Sequence, residues 1–360
     1  MKTVSPHTLS PPCEEVEHSP VSASIGDVAH LAGVSVATVS RAIRGLPNVS
    51  PATRDRVLKA AAELQYVAHP HASRLAAGRT MTVGMAVPML TQWFFTQVVA
   101  GAEGVLAANG YDVLLYGVPD ADTMRRFIDE MPLSKRVDGL IVVDLPVETS
   151  DVERLRQAGP VVTVGVDSCA PSVTIDNVEA AATATRHLVN LGHRRIGLIC
   201  HLPPQALEFT APVQRRLGYE RVLAEAGIAV REELIVPGNF ALQGGAEAMA
   251  QLLTVDRPPS AVFAESDEMA IGALKTVRDA GLHVPGDISV VGFDDHDMAA
   301  YTDLTTVAQP AMQEGEAAAT LLLESMSDDD DRDVSSIVLP TKMVVRATTG
   351  PERSSDRLAG

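Results

Sequence analysis

The apolar positions of this chain follow two different periods, and the period changes near residue 80. Between Ser24 and Tyr66 they recur at helical spacing. Val28, Ala29, Leu31 and Ala32 form one stripe, opened by the capping-box pair Ser24 and Asp27 and closed by Gly33, which tolerates the left-handed backbone of a tight turn. Val34 fills the angle after that turn. Ser35 then caps a second helix containing Val36 to Arg44, with Val39 on its buried side. Ser50 and Pro51 start a third helix, whose apolar face is Val57, Leu58, Ala61, Leu64 and Tyr66. Three helices in fewer than fifty residues, the first two joined at a glycine, predict a helix-turn-helix whose second helix fits the DNA major groove.

From Thr82 onward short apolar runs alternate with amphipathic segments. The runs Val83–Val87, Asp112–Tyr116, Gly139–Val143 and Val161–Val166 predict strands, with Phe94–Asn109 as a helix between them. A second series follows at Ile196–Ile199, Ala261–Ala264 and Ser289–Phe293. It is interleaved with helical segments at Ala180–Leu191, Val213–Ala226, Ala246–Leu253 and Met269–Ala280. The expected fold is therefore an all-α headpiece followed by an α/β body of two doubly wound parallel-sheet lobes, with a ligand cleft at the carboxyl ends of the strands.

Charge divides the chain at the same place. Seven Lys or Arg stand against three Asp or Glu between Ser24 and Arg79, whereas 21 stand against 40 from Met81 onward, so the net charge of −17 conceals a basic head. Phosphate contacts need only local positive charge, so the acidic body does not argue against DNA. Residues 1–22, rich in Pro, Ser and Glu, read as a disordered tail, 23–68 as the DNA-binding domain, 69–80 as a hinge, 81–350 as the body and 351–360 as a second tail. The absence of an export signal and of any long apolar run, together with only three scattered cysteines, Cys13, Cys169 and Cys200, predicts a cytoplasmic protein without a membrane span, zinc site or disulfide framework.

Catalytic patterns are not found. The chain has no dinucleotide or phosphate glycine loop, no nucleophile elbow and no clustered metal spacing. Asp294 and Asp295 are adjacent, so on a strand they point apart, and the run Asp328 to Asp331 reads as a solvated loop. An exported sugar receptor or a sugar-modifying enzyme of similar body are the competing readings. The first does not need residues 24–66, and the second needs a nucleophile or paired acids at the cleft.

Nine blocks, in order from Ser24 to Gly350, resemble the lactose-repressor (LacI/GalR) family of bacterial transcription regulators: DVAHLAGVSVATVSRAI, VSPATRDRV, LAAGRT, LTQWFF, LGHRRIGLI, RRLGYERVL, ESDEMAIGAL, VPGDISVVGFDD and LTTVAQP. The resemblance implies a homodimer on a pseudo-palindromic double-stranded operator, a body related to periplasmic sugar-binding proteins, and a sugar-like effector between its lobes. No cofactor is implied. It matches Val36, Ala37 and Arg41 to base-reading positions and Ser35, Thr38, Ser40, Ser50 and Thr53 to phosphate contacts. Arg44 stands where the family has asparagine and is expected to reach a phosphate. Ala72 and Leu75 fall at the hinge positions that enter the minor groove, although Ala68, His69 and Ser73 depart from the family pattern there.

In the body the resemblance assigns the effector to Arg215, Asp294 and Phe240, with Phe94, Phe95 and Val98 on the first lobe, where Trp93 offers a further flat surface. Asp167, Ser266 and Gln309 complete the expected set. Aromatic walls with forked donors and acceptors suit a sugar, whose ring packs flat while its hydroxyls are hydrogen-bonded. Effector binding is expected to change operator affinity, in the manner of a repressor rather than an activator.

Overall fold

The computed structural model describes residues 23–43, 46–66, 79–201, 209–327 and 336–352. The chain divides into two compact units, Met1–Arg79 and Thr80–Gly360. The expected tail at 1–22, all but the first two residues of the expected tail at 351–360, Arg44, the hinge residues Ala72 and Leu75, Cys13 and the aspartate run lie outside the described residues. No helix among the described residues is long and apolar enough to cross a membrane.

The first unit holds α1 (Ile25–Ala32), α2 (Val36–Ile43) and α3 (Pro51–Glu63). Ser24 Oγ accepts the Asp27 N–H while the Asp27 carboxylate accepts the Ser24 N–H at 2.8 Å, so two of the free donors at the start of α1 are satisfied. Gly33, at φ 64°, ends α1 and lets Val34 N–H bond back to Ala29 O at 3.1 Å. Val28, Ala29, Ala32, Val39, Ala42, Val57 and Ala60 form the core. Leu31 and Leu58, expected in the apolar faces, are instead 46% and 48% exposed. Each lies roughly 110° around its helix from the centre of the buried residues, since successive positions advance by about 100°.

In the second unit, β1 (Thr82–Val87), α4 (Trp93–Ala108), β2 (Asp112–Gly117), α5 (Ala121–Glu130), β3 (Gly139–Val143), α6 (Thr149–Leu155), β4 (Val161–Val164) and β5 (Ser172–Ile175) build the first lobe. The second contains α7 (Asn177–Asn190), β6 (Ile196–Cys200), α8 (Thr210–Glu225), β7 (Ile235–Pro237), α9 (Leu242–Thr254), β8 (Ala261–Ala264), α10 (Asp267–Asp279), β9 (Ser289–Asp294), α11 (Asp297–Tyr301) and β10 (Thr305–Ala308). The chain then returns to the first lobe with α12 (Ala311–Met326) and β11 (Ile337–Leu339) before β12 (Lys342–Val344) closes the second.

The two six-stranded sheets run β11-β5-β4-β3-β1-β2 and β12-β10-β9-β8-β6-β7. Their pairs are parallel except β10 with β12. Strands β1, β3, β4, β6, β8 and β9 are buried on both faces, which is why they were legible as apolar runs, whereas β2 at the sheet edge is partly exposed. The strands β5, β7, β10, β11 and β12 carry no such signal: they are three or four residues long, and several are polar or half exposed. Most of the helices begin one to four residues before their expected starts, because capped first turns are polar, as at Ser266, whose hydroxyl accepts the Met269 N–H.

Helices α4 and α12 cross at close range through Gly101 and Gly315. A Cβ on Gly101 meets Met312 O at 2.0 Å, and one on Gly315 meets Val98 O at the same distance. Gly104, one turn along α4, faces open space. Gly101→Ala is therefore expected to lower the unfolding free energy by about 1–3 kcal/mol through overpacking. Gly104→Ala should raise it by about 0.5–1 kcal/mol. Urea unfolding of the two variants reads the opposite signs, and a stabilising Gly101→Ala contradicts the packing.

Candidate functional site

Two surfaces carry chemistry, one in each unit. In the first, Val39 and Ala42 turn α2 inward, which leaves Ser35, Val36, Ala37 and Arg41 exposed, with Thr38 and Ser40 half-buried. Ser35 Oγ accepts the Thr38 N–H at 3.2 Å and lies 2.9 Å from Thr38 Oγ1. Ser50 and Thr53 repeat this arrangement at the start of α3, again at 3.2 and 2.9 Å. Each helix N-terminus thus bears a hydroxyl pair beside the positive end of its dipole, an arrangement suited to phosphate. Arg54 Nη2 donates to Leu46 O at 2.8 Å and braces the connection between α2 and α3.

The second surface is a cleft between the lobes, lined from the carboxyl ends of both sheets. Asp144 follows β3, Gly165 follows β4 and Ile175 ends β5; Phe240 follows β7, Ser266 follows β8, Asp294 ends β9 and Gln309 follows β10. Gln92 and the aromatic series Trp93, Phe94 and Phe95 close it at the start of α4, and Asn177, Ala211, Arg215, Glu268 and Glu314 enter from helices. Asp144, Phe240 and Asp294 have φ of 47°, 54° and 124°, conformations that L-residues adopt only when their surroundings impose them. The lobes also bond across the mouth. Gln92 Nε2 donates to Phe240 O and Trp93 Nε1 to Asp297 Oδ2, both at 3.2 Å.

Arg215 is the buried cation of this cleft, 6% exposed. Its Nε donates to Asn177 Oδ1 at 2.9 Å, its Nη1 donates to Glu265 O, and its guanidinium carbon stands 3.7 Å from the centre of the Phe293 ring. Around it sit Asp144, Asp294 and Glu314, with Glu265 directly behind. Burial pushes Asp144 and Asp294 up to about 7 and Glu265 and Glu314 up to about 8, against the opposing pull of Arg215. Asp267, buried beside Asp294, is also raised well above its usual value by burial, although it accepts from Thr306 Oγ1 at 2.6 Å. Phe240 is held by a stacked His201, 4.6 Å between ring centres.

Comparison with known proteins now bears on both surfaces. Residues 24–69 match the family described as bacterial regulatory proteins, lacI family, and residues 185–349 match the periplasmic binding protein-like domain. The HTH-type transcriptional repressor CytR of Escherichia coli (strain K12) is 37% identical over 311 residues, 84% of this chain and 90% of that protein. The chain belongs to the LacI family. Its members are DNA-binding transcription regulators that respond to small-molecule effectors, and they are not enzymes. Among solved structures of the family, the lac repressor dimer bound to operator and the anti-inducer ONPF aligns over 91% of this chain and 99% of its own, with a TM-score of 0.77 at 28% identity. The transcriptional regulator CelR–cellobiose complex aligns over the same shares with a TM-score of 0.65 at 32% identity.

Seven of the nine body residues expected at the effector site line this family cleft: Phe94, Phe95, Arg215, Phe240, Ser266, Asp294 and Gln309. Two do not. Val98 is fully buried in the core beneath α4, one turn past Phe94 and Phe95, and Asp167 is exposed beyond the turn after β4. Sequence reasoning missed Gln92, Asp144, Asn177, Glu268 and Glu314. Asp144 carried a signal, since an acid directly after the buried run Gly139–Val143 stands at a strand's carboxyl end just as Asp294 does. Glu314 carried none, because α12 reaches the first lobe from far along the sequence.

The buried acids set a pH dependence with a definite sign. In the unfolded chain these carboxyls ionise near 4, so from about pH 4 up to their native values of about 7 and 8 the native state binds protons that the unfolded state has already lost. Stability therefore falls as pH rises through 7 to 8. His187, His193, His201 and His296 are held low by burial, so they raise stability with pH up to about 7 and oppose the acids only there. The unliganded protein should melt lower at pH 8.5 than at 6.5, and Glu314→Gln should flatten the slope by up to about 1.4 kcal/mol per pH unit, the value of one proton. A melting temperature that is flat or rising over this range contradicts the assignment.

Proposed function

We propose that this protein is a cytoplasmic transcriptional repressor that binds a pseudo-palindromic operator as a homodimer and releases or tightens it when a sugar-like effector occupies the cleft. Val36, Ala37 and Arg41 meet base edges; Ser35, Thr38, Ser40, Arg44, Ser50 and Thr53 meet phosphates; Ala72 and Leu75 enter the minor groove. Phe94, Phe95, Arg215, Phe240, Ser266, Asp294 and Gln309 hold the effector.

The observation that carries this reading is the division of the α2 surface. Val39 and Ala42 go to the three-helix core, and what remains outside is a short ridge of Val36 and Ala37 ending in Arg41, with hydroxyl pairs at two helix starts. Such a ridge lets the helix approach base edges closely, and the guanidinium can make two parallel bonds to guanine O6 and N7. Aromatic walls beside convergent polar groups support a sugar-like effector, as does the likeness to a cellobiose-bound regulator. An effector changes operator affinity only in so far as it binds the two states of the protein differently.

The test is gel-shift titration against duplexes selected from a random library by the full-length protein. Arg41→Ala should weaken binding to the selected duplex by about 1–3 kcal/mol while binding to scrambled DNA changes little. Affinity should fall steeply with salt, as phosphate contacts require. Equal loss on both duplexes makes Arg41 a phosphate contact, and selection of no duplex at low salt contradicts DNA recognition altogether.

A further inference from the structure

The acid wall of the cleft constrains its occupant more tightly than the aromatic wall. Asp144 and Glu314 are 8% and 1% exposed, both line the cleft, and Asp144 Oδ1 and Glu314 Oε1 are buried without a hydrogen-bond partner. They arrive from separate elements, the turn after β3 and the first turn of α12. Room for Asp144 comes from Gly165 at the end of β4, where a Cβ would stand 3.1 Å from Asp144 Oδ1. Asp294, another acid of the wall, is provided for, since its Oδ1 accepts from Gln309 Nε2.

Donors to answer the two unpartnered oxygens are scarce. Arg215 is the cation of the lining, and its Nε and Nη1 are committed to Asn177 and to the Glu265 carbonyl, which leaves Nη2 as its one nitrogen not so engaged. Buried acceptors in native proteins are paired, so acceptors left open in a cleft mark the place of a ligand's donors. Asp144, Asp294, Glu268 and Glu314 also outnumber Arg215, so whatever charge these acids carry, the lining offers no surplus of positive charge. We infer that the effector is uncharged or cationic, places at least two hydrogen-bond donors between Asp144 and Glu314, and is rejected once it carries a phosphate. A phosphate brings up to two negative charges into a poorly solvated space with one arginine to balance them, beside acids that lose their protons as pH rises. Hydroxyl pairs and amino groups meet the requirement.

This inference rests on the cleft being the effector site, and matched pairs keep the two claims apart. The full-length protein is screened by thermal shift, then by calorimetry, against D-ribose and ribose 5-phosphate, adenosine and its 5′-monophosphate, and D-glucose with glucosamine and glucose 6-phosphate. The expected result is that at least one unphosphorylated compound binds and that its phosphate binds about tenfold or more weakly. The double variant Asp144→Asn and Glu314→Gln, which keeps side-chain size, should narrow that gap to about threefold or less. A phosphorylated compound that binds the wild-type protein as well as its parent overturns the inference and leaves the effector site standing. Failure of every compound to shift the melting temperature overturns both.

Discussion

One buried guanidinium sits where the two lobes meet, and the carboxylates around it cannot all be charged without it. Arg215 is fixed from three directions, by Asn177, by the Glu265 carbonyl and by the Phe293 ring, so its position is set before any ligand arrives. Asp144, Asp294 and Glu314 owe part of their ionisation to it. Burying several acids beside a single cation opposes folding rather than aiding it. A cost of this kind persists where the groups serve recognition, and strained backbone at Asp144, Phe240 and Asp294 lies at the same place.

The topology explains how groups so distant in sequence converge. Both sheets present their carboxyl ends to the cleft, and the chain passes between lobes after β5, after β10 and between β11 and β12. Cleft residues stand next to two of these passages: Asn177 begins α7, while Gln309 and Glu314 flank the entry to α12. A change in the angle between the lobes therefore moves ligand contacts and connecting segments together. Gln92 and Trp93 bond directly across the mouth, so lobe separation and ligand access are linked.

Much of this was legible in the sequence, and the reasons are local. The caps at Ser24, Gly33 and Ser50 and the doubly buried strands follow from short-range chemistry and continuous apolar runs. The nine ordered blocks identified the family and seven cleft residues, but they misplaced Val98, because an apolar residue in the first turns of a helix reads alike whether it faces a cleft or a core. Leu31 and Leu58 show the same weakness in the small unit, where a core of alanines and valines leaves larger side chains outside. Asp144 and Glu314 were missed because their proximity is made by the path of α12, which periodicity does not encode.

The central claim is that occupancy of the Arg215 cleft is felt by the DNA-binding unit. The direct measurement is operator affinity of the full-length protein with and without a saturating ligand that raises its melting temperature, for wild-type and Arg215→Met. The wild-type affinity should change by a factor in the range of about 5–150, the size of a typical coupling of 1–3 kcal/mol, and the variant should be unresponsive while still binding operator. An operator affinity that ignores the bound ligand, or a variant that responds as the wild type does, contradicts it.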